Sequence, residues 1–133
     1  MDYVTITFRF LLTFVFAILF GLERQTSHRP IGFGTYIFVA VGSCGLAIIA
    51  ITIEPDAPLG LLGAIVTGIG FLGAGALIKT TDKVFGFTSA ASIWIFSIIG
   101  LVIGIGEYLV SSLMYCLVWF VIIIDRYLEI KGL

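Results

Sequence analysis

Between Leu59 and Ile78 the chain carries twenty uncharged residues, LGLLGAIVTGIGFLGAGALI, and six of them are glycine. This composition would destabilise a helix in water, because each glycine costs roughly 1 kcal/mol relative to alanine. In a bilayer the same residues are favourable, since small side chains let two helix backbones approach and pack closely. The segment therefore predicts a membrane helix that is suited to close contact with another helix.

The composition of the whole chain excludes an ordinary soluble domain. Hydrophobic residues make up 60% of the 133 residues and charged residues only 11%, whereas soluble domains are about 25% charged. A membrane-spanning helix needs about 20 mostly apolar residues, and the chain holds five such runs. We expect one all-α transmembrane domain over residues 1–133, with helices at Val4–Leu22, Phe33–Ile53, Leu59–Ile78, Phe87–Ile105 and Tyr108–Ile124.

The basic residues outside these runs are segregated along the chain. The connections at 54–58 and 106–107 contain no lysine or arginine, and cytoplasmic loops of membrane proteins are enriched in both. The pattern predicts five spans with the N-terminus outside and the C-terminus inside. It places six basic residues on the cytoplasmic side: Arg24, Arg29, Lys79, Lys83, Arg126 and Lys131.

Arg9 is the one charged residue within an apolar run. A charge at the bilayer centre costs at least about 2.5–3.5 kcal/mol, although an arginine near a helix end relieves part of this cost by snorkelling. We expect it either to snorkel outward or to pair with a carboxylate on the same predicted side, namely Glu54, Asp56 or Glu107. The alternative is a contact with a partner protein or with an ion path.

No arrangement of residues predicts catalysis or metal binding. His28 is the only histidine and has no cysteine at ligand spacing. The carboxylates lie at the ends of the apolar runs, whereas ion-coupled transporters carry acidic groups or unwound helices within the membrane. Magnesium needs several oxygen ligands, so its transport by this chain alone is disfavoured. We expect no enzymatic activity, no cofactor, no metal site and no nucleic-acid partner.

Two glycine patterns need separate interpretations. The glycines at 68, 70 and 73 match GxGxxG, but a dinucleotide site requires a preceding strand and an acidic residue about 20 positions later, where this chain has Thr88. We therefore reject that reading. The GxxxG at 100–104 fits close helix packing and leaves open whether the third helix or a second copy is the partner. The residues to which we assign helix packing are Gly68, Gly70, Gly73, Gly75, Gly100 and Gly104.

Several short motifs follow one another along the chain. They are GLER at Gly21–Arg24, GxxT at Gly32–Thr35, VTGIGFLGAG at Val66–Gly75, GFTSAA at Gly86–Ala91, Trp94, and GxxxG at Gly100–Gly104. Their order, spacing and membrane placement resemble the MgtC/SapB family of bacterial and archaeal inner-membrane proteins. The long glycine motif is the specific one, and the resemblance covers roughly residues 9–124.

The chain departs from this family in two respects. Members typically read GLRTH where this chain has GFGTY, so that Gly34 and Tyr36 replace an arginine and a histidine. This weakens any function that needs a positive start to the second helix. Many members continue into a soluble ACT-like domain, whereas this chain stops at Leu133. We therefore expect either a minimal, membrane-only form of the family or a longer protein trimmed to its membrane domain.

The resemblance implies a regulatory membrane protein rather than an enzyme. The family is associated with growth at low magnesium and with survival inside macrophages, and its best-described member restrains the rotary ATP synthase. We expect a multi-pass protein of the inner membrane of a bacterium or archaeon that docks on the membrane sector of ATP synthase. The family-motif residues to which we assign this role are Glu23, Arg24, Thr35 and Thr88, with Arg9 supplying an electrostatic contact.

Two other functions stay open from the sequence. The first is an ion channel or a magnesium-linked transporter whose path lies at an oligomer interface, and the second is a purely structural subunit. Because several small-residue faces leave surface for packing, we expect a homo-oligomer, with a dimer favoured.

Overall fold

The computed structural model of the chain describes residues 1–56, 59–79 and 84–132, and Lys83 lies outside them. The five predicted helices are present in this part of the chain. Two strands of two residues each pair antiparallel between the third and fourth helices. The elements are α1 (Tyr3–Thr26), α2 (Phe33–Ile53), α3 (Leu59–Gly75), β1 (Ile78–Lys79), β2 (Val84–Phe85), α4 (Phe87–Ile105) and α5 (Tyr108–Ile130).

The bounds of three helices differ from the sequence prediction. Helices α1 and α5 continue through polar residues beyond Leu22 and Ile124, because amphipathic turns extend a helix past the apolar run. Helix α3 ends at Gly75 rather than at Ile78. Its glycines favour early termination, and the chain then enters β1, which pairs with β2 through Ile78 and Phe85.

Four of the described helices are long and apolar enough to cross a bilayer: α1, α2, α4 and α5. Helix α3 is apolar but only 17 residues long, about 26 Å at 1.5 Å per residue. The fold is therefore that of a helical membrane protein. The count of five spans and the outward N-terminus stay predictions.

Helix ends that carry basic residues lie together at one end of the bundle. Arg24 at the end of α1 donates a hydrogen bond to Ser89 in the first turn of α4, and Glu129 near the end of α5 pairs with Arg29 after α1. Gly73 near the end of α3 lies beside Ala90. We call this the basic end. It is the side that the charge pattern assigns to the cytoplasm.

Helices α2 and α4 form the centre of the bundle, and their backbones meet at two glycines. A Cβ at Gly100 would lie 2.1 Å from the Ala40 carbonyl oxygen, and one at Gly104 would lie 2.6 Å from the Cys44 carbonyl oxygen. Only glycine permits this approach. The GxxxG pair of α4 therefore faces α2 of the same chain, a partner that the sequence did not indicate.

The glycines of α3 are placed differently. Leu62 and Ile65 are the buried side chains of this helix and pack near Ala47 and Leu101. Gly73 makes an ordinary contact, since its Cβ would lie 3.4 Å from the Ala90 carbonyl oxygen. Within the described residues, three other glycines of α3 make no close contact inside the chain, since an added Cβ there meets nothing within 4 Å: Gly68, Gly70 and Gly75. Their contact with another chain stays a prediction.

Helix α5 lies at the periphery. Only Ser111 and Ile122 of its 23 residues are buried. Aromatic side chains join it to α1, since the Tyr115 ring stacks on Phe16 with the centroids 4.1 Å apart and Trp119 meets Phe20 edge to face. Most of the apolar surface of α5 is therefore exposed and, in a bilayer, available to lipid.

The contact between α2 and α4 gives a direct test of the fold. We expect Gly100→Ala to lower the free energy of unfolding by about 1–3 kcal/mol, because the added methyl group overpacks a backbone contact. Gly42→Ala is the matched control, since a Cβ at Gly42 meets nothing within 4 Å. Tryptophan fluorescence during titration with SDS in detergent micelles measures both variants. Equal midpoints for the two would contradict the close contact.

Candidate functional site at two buried arginines

The GLER motif places one arginine inside the bundle. Helix α1 continues to Thr26, so Arg24 falls on the buried face of the helix, one turn after Phe20 and Gly21. A Cβ at Gly21 would lie 2.6 Å from the Phe33 Cα, so this glycine lets the start of α2 approach. Arg24 is 1% exposed, and its Nη2 donates to the Ser89 Oγ at 3.2 Å.

A hydroxyl network continues from Ser89 to α2. The Ser92 Oγ donates to the Ser89 carbonyl oxygen at 2.8 Å and shares a hydrogen bond of 2.7 Å with the Tyr36 hydroxyl. Tyr36 is fully buried. Arg24, Ser89, Ser92 and Tyr36 therefore join α1, α4 and α2 at the basic end. We call these four residues the arginine network.

The charge of Arg24 is only partly compensated. No carboxylate of the described residues lies within 4 Å of its nitrogens, and its Nε has no hydrogen-bond partner there. A buried guanidinium with neutral partners is costly. Through Ser89, Ser92 and Tyr36 this group connects α1 to α4 and α2 at the basic end.

Glu23 points to another set of residues. Its Oε1 accepts a hydrogen bond from the Ser27 hydroxyl at 2.8 Å and lies 3.5 Å from the Arg126 Nη1. A second ion pair joins the Arg29 Nη2 to the Glu129 Oε2 at 2.5 Å. The hydrogen bond to Glu129 raises the pKa of Arg29. These two pairs connect α5 to the end of α1 and to the loop that follows it.

Arg9 lies at the opposite end and binds no carboxylate of the described residues. Its Nη1 donates to the Gly104 carbonyl oxygen at 2.5 Å, and its Nε donates to the Tyr108 hydroxyl at 3.1 Å. The side chain is only 9% exposed. The expectation of pairing with Glu54, Asp56 or Glu107 is therefore wrong for the described residues, whereas snorkelling toward the membrane surface stays a prediction.

The physical reason is the C-terminus of α4. The last carbonyl groups of a helix lack intrahelical partners and carry a partial negative charge, so they accept the guanidinium in place of a carboxylate. Gly106 caps α4 with φ of +99°, and a Cβ there would lie 2.6 Å from the Arg9 Nη2. Glycine is required here both for its backbone conformation and for space.

The two threonines of the family motifs lie apart from this network. Thr35 is exposed and lines a cavity of about 420 Å³ together with Pro30 and Phe71. Thr88 is exposed and lines a cleft of about 390 Å³ between α4 and α5. Arg24 bonds to Ser89, the residue that follows Thr88, and the described hydrogen bonds join it to neither threonine.

Sequence reasoning missed three members of the arginine network: Tyr36, Ser89 and Ser92. In the sequence, Tyr36 stands out only because it replaces a histidine that is typical of the family. In the structure, its hydroxyl shares a buried hydrogen bond with the Ser92 Oγ. The available signal was the pair of serines three residues apart, which lie on one face of a helix. Within the described residues, no group of three or more His, Cys, Asp or Glu side chains could hold a metal ion.

These features define a polytopic helical membrane protein whose buried polar groups form hydrogen bonds between helices. The model of the MgtC family matches residues 10–130, and the chain belongs to that family. The relatives and the apolar helices indicate a bacterial membrane protein. No solved structure matches the chain significantly.

Three relatives illustrate the similarity. Protein SrpB of Synechococcus elongatus is 35% identical over 120 residues, which cover 79% of this chain and 66% of the relative. Protein SapB of Bacillus subtilis is 37% identical over 114 residues, covering 76% and 49%. Protein MgtC of Salmonella typhimurium is 38% identical over 90 residues, covering 68% and 39%. The matches thus cover 39% to 66% of the length of these relatives.

A double-mutant cycle tests the placement of Arg9. We expect Arg9→Met and Tyr108→Phe each to lower the free energy of unfolding, with a coupling of about 1 kcal/mol or more, because the two side chains share a hydrogen bond to a charged group. Chemical denaturation in micelles measures the coupling. Tyr127→Phe is the control partner, since Tyr127 is exposed at the far end of α5. Strict additivity of Arg9→Met with Tyr108→Phe would refute the contact.

Proposed function

We propose that this protein is a regulatory subunit of the bacterial inner membrane that acts by docking, without catalysis. Its partner in this proposal is the membrane sector of ATP synthase, whose proton-coupled turnover it restrains. The family resemblance supports the partner and the link to growth at low magnesium. The observation that carries the docking mode is an open face of α3.

This face consists of five small residues that recur at intervals of three and four positions, and we call it the small face: Gly60, Gly63, Thr67, Gly70 and Ala74. All five are exposed, and an added Cβ at any of the three glycines would meet nothing within 4 Å. The spacing places them on one side of the helix, away from Leu62 and Ile65, which face the bundle.

The small face suits a helix of another protein. In lipid, association between helices depends on van der Waals contact at small residues. The Thr67 hydroxyl donates to the Gly63 carbonyl oxygen at 3.0 Å, so its polar atom is satisfied within α3 and leaves a flat apolar strip. The membrane helices of ATP synthase are the proposed occupant.

The placement of charges favours docking over ion conduction. The carboxylates of the described residues lie in connections or in the end turns of α1 and α5. Arg9 is bonded to Gly104 and Tyr108, and Arg24 is enclosed by three helices. Conduction normally requires polar groups along a path, and these two arginines instead serve as contacts between helices.

Inside-out membrane vesicles with and without this protein provide the test. ATP hydrolysis and formation of the proton gradient are measured in the same sample. We expect both to fall together when the protein is present, because a docked inhibitor slows turnover and pumping alike. Gly70→Leu should abolish most of this effect, because leucine on the small face prevents close approach.

Gly42→Leu is the matched control. An added Cβ at Gly42 also meets nothing within 4 Å, but Gly42 lines the cavity between α2 and α3 and is not part of the small face. It should inhibit like the unmodified protein. A collapsed gradient with unchanged hydrolysis would instead identify an ion conductor. Full inhibition by Gly70→Leu, with an unchanged oligomeric state in cross-linking, would remove the small face from the mechanism.

A further inference from the structure

Helix α5 is held by polar contacts at its two ends. At its start, the Tyr108 hydroxyl accepts a hydrogen bond from the Arg9 Nε at 3.1 Å. Near its end, two ion pairs hold the helix. The Arg126 Nη1 lies 3.5 Å from the Glu23 Oε1, and the Glu129 Oε2 lies 2.5 Å from the Arg29 Nη2. Between these points the helix meets its neighbours through apolar and aromatic groups within the described residues. The Ser111 hydroxyl binds a carbonyl of α5 itself.

The apolar contacts are a weak restraint in a bilayer. Lipid tails are as apolar as leucine, so a helix contact gains over a lipid contact only where the side chains pack more closely. The fully buried residues of α5 are Ser111 and Ile122, and its other core-facing side chains, such as Met114 and Val118, are only partly buried. Its position relative to the bundle therefore depends on its polar contacts and on its covalent link to α4.

The start of α5 is fixed more firmly than its end. Gly106 and Glu107 are the whole connection between α4 and α5, and the buried guanidinium of Arg9 binds both helices beside it. The ion pairs at the other end are partly exposed, with side chains between 14% and 58% accessible. In that half of the bundle, an apolar cleft of about 390 Å³ already separates α4 from α5 between Trp94 and Val118.

The geometry points to a latch: α5 is a hinged helix that pivots at Gly106 and is closed against α1 by the ion pairs Arg126–Glu23 and Arg29–Glu129. Release of these pairs swings the basic end of α5 outward. The swing widens the cleft and uncovers the aromatic groups of α1 against which Tyr115 and Trp119 pack. The latch does not depend on the partner or on the role of the small face.

Pulsed electron paramagnetic resonance between two spin labels tests the latch in the full chain in lipid nanodiscs. The labels replace Thr26 and Ile130, both exposed, after the native cysteines Cys44 and Cys116 are changed to alanine. The opening variant is Arg126→Gln with Glu129→Gln, which removes one partner of each pair and preserves the net charge. The control is Glu54→Gln with Lys131→Gln, which also preserves net charge but removes no member of either pair; Glu54 is exposed at the other end of the bundle.

We expect the opening variant to lengthen the mean distance between the labels by about one helical turn, ~5 Å, or more, and to broaden its distribution at least twofold. The control should match the parent. Raising salt to about 1 M, where the Debye length is about 3 Å, should move the parent toward the opening variant and leave that variant unchanged. The salt series alone decides the matter if the variant does not fold.

Two results would overturn the latch. One is an identical distance distribution in the parent at low and high salt and in the opening variant, because apolar contacts would then hold α5. The other is a distribution that is already broad in the parent at low salt and does not change, because the ion pairs would then restrain nothing.

Discussion

The fold depends on the direct contact of two helix backbones at Gly100 and Gly104. Because these residues lack a Cβ, α4 lies against the carbonyl groups of Ala40 and Cys44, and α2 and α4 become the axis to which the other helices attach. In lipid this proximity replaces the hydrophobic driving force that a soluble core would supply. Helix α1 packs beside the axis, with Phe20 meeting Tyr36 and Phe96, while α3 and α5 remain at its margins.

Two buried arginines, Arg9 and Arg24, lie at opposite ends of the contact between α1 and α4. Different groups compensate the two buried charges. Arg9 binds the Gly104 carbonyl group, one of the last carbonyl groups of α4, which carry a partial negative charge. Arg24 has hydroxyl groups around it and a weaker compensation among the described residues. A buried charge is costly once a partner is removed, so both arginines specify how α1 sits on α4 more than they add stability.

The sequence predicted the helices well and their contacts less well. Apolar length located five helices, and two of them match at both bounds, α2 and α4. Glycine patterns predicted close packing on both α3 and α4. Within the chain the close contacts occur at the GxxxG of α4, because spacing alone does not reveal which face of α3 meets the bundle. The partner of Arg9 could not be foreseen, since the acceptor is a backbone carbonyl that exists only where α4 ends. The buried hydrogen bond of Tyr36 could not be predicted, because its partner, Ser92, is 56 residues away in the sequence.

The short third helix has a consequence for the surrounding lipid. A hydrocarbon layer is about 30 Å thick, and seventeen residues of helix cover about 26 Å. In the predicted arrangement of five spans, α3 would therefore present a hydrophobic mismatch on one flank of the molecule, beside longer neighbours. Lipid chains there must compress or tilt, at a cost of a fraction of a kcal/mol per Å. In that arrangement, bilayer thickness would act on one side of this protein and would favour its placement in thinner membrane.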